Sequence, residues 1–124
     1  MNRTTFLIIA AVITGLFGIG LLLAPAQMAA TYGATLNPAG ILIARIGGSA
    51  LVALAWILWG ARNGPGAEAM QAVLVAGIAA NVLDLLISGY ATMNGIIGYG
   101  IGWATVVLHL LLAVGFAYFA FGKR

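Results

Sequence analysis

Four predominantly apolar runs, each long enough to cross a bilayer, constrain this chain more than any other feature. They fall at about 6–24, 39–60, 69–88 and 98–121. The first, Phe6 to Ala24, spans roughly 28 Å as a helix, against a hydrocarbon core of about 30 Å. Within a bilayer the backbone N–H and C=O groups must pair inside the segment, so such runs read as helices. The expected fold is all-α: a polytopic membrane protein built as an antiparallel bundle of four transmembrane helices, one integral membrane domain over residues 1–124. Water is the wrong outer solvent for this chain. Of its 124 residues 64% are hydrophobic and 6% charged, and the mean hydropathy is +1.15. An ordinary soluble domain is about a quarter charged.

The first run has a rival reading as a secretory signal peptide, because Arg3 precedes it and Ala24-Pro25-Ala26 loosely resembles a cleavage site. Its length exceeds the usual apolar region of about 7–15 residues, which favours a retained span. Gly15, Gly18 and Gly20 give it a small-residue face suited to close helix approach. Pro25 ends this helix, and Ala26 to Ala30 is suited to a short interfacial helix. Asn37-Pro38 reads as a helix start, with Asn as cap and Pro in the first turn. The second span runs from about Ala39 to Gly60, with Trp56 and Trp59 at its far end, where aromatic rings prefer the headgroup level. Asn63-Gly64-Pro65-Gly66 is a strong break, and Glu68 beyond it suits a helix N-terminus. The third span, Ala69 to Ser88, carries Ala72, Ala76 and Ala80 at four-residue spacing, and likewise Val73, Gly77 and Asn81. A connector from Gly89 to Gly98 leads to the fourth span. Gly98, Gly100 and Gly102 resemble a phosphate loop only superficially, since no strand precedes them and no lysine follows.

Charge placement supports four spans. With that number, Arg3, Arg62, Lys123 and Arg124 all fall on one side, and the other two connectors contain no Lys or Arg. The positive-inside rule then makes both termini cytoplasmic. The expected location is a bacterial inner membrane, crossed several times. The net charge of +3 is scattered rather than gathered into a patch, which argues against nucleic acid as a partner.

Two charges stand inside the apolar runs, and charge at membrane depth is costly unless it is paired or hydrated. Arg45 lies about 9 Å into the second span, and Asp84 about 6–9 Å from the same face in the third. Asn81 shares a face with Asp84 at three-residue spacing. His109 lies about 14–18 Å into the fourth span, near the midplane and close to the level of Asn81. The expectation is one polar cluster of Arg45, Asp84, Asn81 and His109. Its bland form is an ion pair that fixes helix register. In the sharper form His109, with Thr105 one turn outward, contacts a ligand or moves a proton.

Several chemistries lack their residues. A bis-histidine haem needs a second histidine, and there is one. Thiol chemistry and thiolate metal sites need cysteine, and there is none. A retinal-type Schiff base needs a lysine within a span, whereas the one lysine is Lys123. A zinc site of His109 with two carboxylates is opposed by Glu68 standing at the far interface from Asp84. Ser49 or Ser88 against His109 has no hydrolase motif around it. No catalytic constellation is visible, and no metal or cofactor is expected. Small multidrug exporters share the length and hydropathy but depend on a glutamate in the first helix, which this chain lacks.

Across its whole length the chain resembles a group of uncharacterised small bacterial inner-membrane proteins with four predicted transmembrane helices. The likeness rests on Leu21 to Gly33 (LLLAPAQMAATYG), Leu36 to Leu51 (LNPAGILIARIGGSAL), Trp59 to Asn63 (WGARN), Ala80 to Leu86 (ANVLDLL) and Gly102 to Phe119. It implies a recurring scaffold that includes the arginine of the second span and the aromatic opening of the fourth. It brings no activity with it. Three function classes fit. One is a structural or accessory subunit of a larger inner-membrane complex, with other membrane-protein subunits or further copies of itself as partners. Another is a binder of a lipid, quinone or pigment in an apolar cavity. The third is a proton-linked carrier using Asp84 and His109.

Overall fold

A computed structural model describes residues 1–64 and 66–122. The described residues form five helices: α1 Arg3–Leu23, α2 Pro25–Thr31, α3 Pro38–Ala61, α4 Ala67–Met93 and α5 Tyr99–Phe121. Of these, α1, α3, α4 and α5 are long and apolar enough to cross a membrane. Pro65 of the expected break, and Lys123 and Arg124 of the charge pattern, lie outside the described residues. The chain divides into two compact units, 1–63 and 64–124, and each is a helical hairpin.

The helix boundaries follow from local hydrogen bonding. Asn2 caps α1, its side-chain oxygen accepting from Thr5 N at 2.8 Å. That cap draws Arg3 to Thr5 into the helix, so α1 starts before the apolar run does. Asn37 caps α3 in the same way, accepting from Gly40 N at 2.8 Å, with Pro38 in the first turn. Pro25 opens α2, where a missing N–H costs nothing.

Two helices end on a glycine in the left-handed region, Gly33 (φ 74°) and Gly95 (φ 68°). At each, the next two N–H groups turn back onto the last turn: Gly33 N to Ala30 O and Ala34 N to Ala29 O, then Gly95 N to Thr92 O and Ile96 N to Ala91 O. This paired pattern satisfies carbonyls that a helix end would leave open.

The end of α4 corrects the expectation of a connector starting at Gly89. The helix continues to Met93. Gly89 is helical, because an isolated glycine weakens a helix by about 1 kcal/mol without stopping it. The stop is Gly95, which can adopt the positive φ required there.

In the first unit α1 and α3 run antiparallel, with Gly18 opposite Gly48 and Val52, Gly15 opposite Ala55, and Thr4 near Arg62. At Gly18 and Gly48 the two backbones touch. A Cβ on Gly18 would lie 2.8 Å from Val52 N, and one on Gly48 would lie 2.7 Å from Gly18 O. Gly20 instead receives the Met28 side chain of α2.

In the second unit α4 and α5 also run antiparallel. Their contacts step along the seam from Thr92 on Gly102, past Gly89 near Val106, to Gly77 beneath Phe116. Phe116 and Leu74 are among the largest fully buried side chains. Gly102 is therefore a packing glycine, while Gly100 has nothing within 4 Å of where a Cβ would sit. That pattern belongs to a helix crossing, not to a phosphate loop.

Candidate functional site

The polar residues of the second unit gather midway along the α4–α5 hairpin. Asn81 on α4 sets their geometry. Its amide nitrogen donates to Gly77 O, one turn back, at 2.8 Å. That bond leaves Asn81 Oδ1 directed at α5, where it lies 3.0 Å from His109 Nδ1. An amide oxygen can only accept, so His109 Nδ1 carries the hydrogen and donates it. In the neutral ring the other nitrogen, Nε2, is then the lone-pair nitrogen.

Asp84 stands one turn from Asn81 on the same helix face. Its Oδ2 is 3.9 Å from the same His109 Nδ1. This is beyond hydrogen-bond length, so Asp84 acts on His109 through charge, and most strongly when the imidazole is protonated. The His109 side chain is 22% exposed and that of Asp84 50%. Asp84 therefore sits at the rim of the cluster, with His109 set in behind it.

Thr105 is one turn before His109 on α5, and its hydroxyl donates to Ile101 O at 2.9 Å. Arg45 belongs to the other unit, on α3, and is exposed. Along their own helices Arg45 lies about 10 Å from the start of α3, and Asp84 about 13 Å from the end of α4. The longer α4 thus places Asp84 further from its helix end than an end at Ser88 would. The structure brings Asn81, Asp84 and His109 together in one unit.

This arrangement discriminates among ligands. A quinone carbonyl needs a hydrogen-bond donor, but neutral His109 already spends its donor on Asn81. A Lewis-acidic centre needs a lone pair, and Nε2 supplies one. A ligating histidine commonly donates its second N–H to a protein oxygen, as His109 does to Asn81. Among the described residues no three His, Cys, Asp or Glu side chains are grouped to hold a metal ion by themselves.

The roles of two residues were not visible in the sequence. Gly77 orients Asn81 through its carbonyl and also accommodates Phe116. Thr92, assigned to a connector by sequence, is 4% exposed, and its hydroxyl donates to Ser88 O at 2.7 Å. The sequence placed Gly77 in one stripe with Val73 and Asn81, but spacing alone does not reveal what packs against a glycine. Among the described residues, no buried side-chain nitrogen or oxygen lacks a hydrogen-bond partner. Compared with known proteins, the chain matches no family model, no curated protein and no solved structure.

Proposed function

We propose that this chain is a small integral protein of a bacterial inner membrane that serves as a structural or accessory subunit of a larger membrane assembly. In this reading its four long helices form one antiparallel bundle with both termini cytoplasmic. The supporting observation is that Arg45 and Asp84 are both exposed, each inside a helix long and apolar enough to cross a membrane. On insertion scales a charge at the centre of a span costs roughly 2.5–3.5 kcal/mol, an upper bound for these two off-centre positions. Lipid cannot offset that cost. An ion pair between the two residues, or a polar surface on a partner subunit, can. Arg3 and the Arg62 region stand at one end of the first hairpin, where Thr4 Oγ1 lies 3.5 Å from Arg62 O. That placement favours this end as the cytoplasmic one.

Native mass spectrometry of the gently solubilised protein tests the subunit role. Other polypeptides are expected in fixed stoichiometry with it. A chain that runs alone, without partner subunits, would contradict the role.

A second reading, a binder of a lipid, quinone or pigment, draws on the His109 geometry. With Nδ1–H held by Asn81, a pigment metal at Nε2 fits the donor set better than a quinone carbonyl does. An absorption band from the same sample, lost in His109→Leu, would favour that reading. A proton-linked carrier is less well supported, because Asp84 and His109, which lie 3.9 Å apart, belong to a single hairpin.

A further inference from the structure

The first hairpin carries a groove that the polar cluster does not use. It has a volume of about 220 Å³ and is lined by Val12, Gly15 and Ile19 of α1 with Val52, Trp56 and Trp59 of α3. It runs about 12 Å along α1 between the levels of Ala11 and Ile19. Gly15 forms part of its floor, and Val12, Ile19 and Trp56 stand exposed along it. The lining is apolar throughout, so the groove itself offers an occupant only dispersion and exclusion of solvent.

Its Trp59 end is different. The Arg62 guanidinium lies over the Trp59 ring, 3.9 Å from the centroid, and Arg62 Nη1 donates to the Trp59 carbonyl. The ring and the carbonyl together fix the guanidinium beside the groove. A guanidinium has five N–H donors in a planar fork, and the carbonyl takes one of them. Arg3 opens α1 at the same end of the hairpin, where Thr4 meets Arg62. No counter-charge comes from this unit: residues 1–63 contain three arginines and neither Asp nor Glu.

We infer that this groove holds one acyl chain of an anionic phospholipid, with the headgroup phosphate on Arg62. The inference rests on the membrane reading above. Charge complementarity selects the occupant. An apolar channel about 12 Å long and parallel to α1 suits the part of a single acyl chain nearest the headgroup. A fixed guanidinium at its end suits a phosphate, which it can bind through two parallel hydrogen bonds. The absence of any carboxylate in the unit favours a lipid with net negative charge over a zwitterionic one.

The test uses the full chain in nanodiscs containing equal amounts of phosphatidylglycerol and phosphatidylcholine. Lipids retained on the released protein are identified by native mass spectrometry. The wild type should retain phosphatidylglycerol over phosphatidylcholine by about fivefold or more. Arg62→Gln should bring that ratio close to one, and Arg62→Lys should restore most of it. Val12→Phe, which fills the groove from an exposed position, should abolish retention of both lipids. Each variant is checked for wild-type helix content by circular dichroism. An unchanged ratio in Arg62→Gln, unchanged retention in Val12→Phe, or a second protein chain bound in place of lipid would overturn the inference. Recovery of the wild type outside the membrane fraction would overturn the membrane reading as well. Recovery within that fraction without lipid preference would overturn the groove alone.

Discussion

Gly48→Ala is expected to destabilise the α1–α3 hairpin by about 3 kcal/mol, while Gly47→Ala, one residue away, should be neutral or slightly stabilising. The difference lies in what each new methyl group would meet. At Gly48 it would lie 2.7 Å from both Gly18 O and Leu22 N, which are backbone atoms with no rotamer to change. The helices would have to separate, and contacts along the seam would weaken together. At Gly47 nothing lies within 4 Å, so only the gain in helix propensity remains, about 1 kcal/mol in favour of Ala. Gly18→Ala should behave like Gly48→Ala, because its Cβ would lie 2.9 Å from Gly48 O.

The absence of cysteine allows a clean readout. A Cβ at position 15 would sit 3.4 Å from the Ala55 Cβ, close to the usual disulfide range of about 3.5–4.5 Å. Gly15→Cys with Ala55→Cys should therefore crosslink readily, and adding Gly48→Ala should sharply reduce the yield. Equal crosslinking with Gly47→Ala and Gly48→Ala would show that the two backbones do not meet there.

The second large effect is expected at Gly77. An added Cβ would lie 2.5 Å from Phe116 Cδ1 and 2.6 Å from Cε1. Phe116 is 2% exposed, so its ring has little free volume to move into. Gly77→Ala should cost about 2 kcal/mol net, as overpacking outweighs a propensity gain of about 1 kcal/mol. Phe116→Leu should recover part of that loss when combined with Gly77→Ala, although it is destabilising alone. Thermal unfolding of the four proteins in one detergent measures this. Stabilisation by Gly77→Ala alone would contradict the packing.

The four long helices were legible because each run is predominantly apolar and long enough to cross a bilayer, and most of their ends carry a recognisable signal. Asn37-Pro38 marked the start of α3 through a cap and a pre-set φ, both local properties. The end of α4 was not legible, because Gly89 and Gly95 look alike in sequence. Only the backbone shows that, of these two, it is Gly95 that takes a positive φ. The levels of Asn81 and His109 could be compared from sequence because a short connector joins their helices. The direction of the amide could not, since the Gly77 carbonyl decides it. The groove was not legible for a similar reason: Trp56 and Trp59 read as interfacial aromatics, and what lies between α1 and α3 depends on how Gly15 and Ala55 meet.

The measurement that bears most directly on the proposed bundle is a double-mutant cycle of Arg45→Ala and Asp84→Ala, read as thermal stability of the full chain in one lipid or detergent. If the two charges cover each other, each single substitution leaves a partner uncompensated, and the double substitution costs less than the two singles added together. A favourable coupling of about 1 kcal/mol is expected, within the range known for polar pairs inside membranes. Strict additivity would contradict the pairing and leave each charge to be covered by some other group.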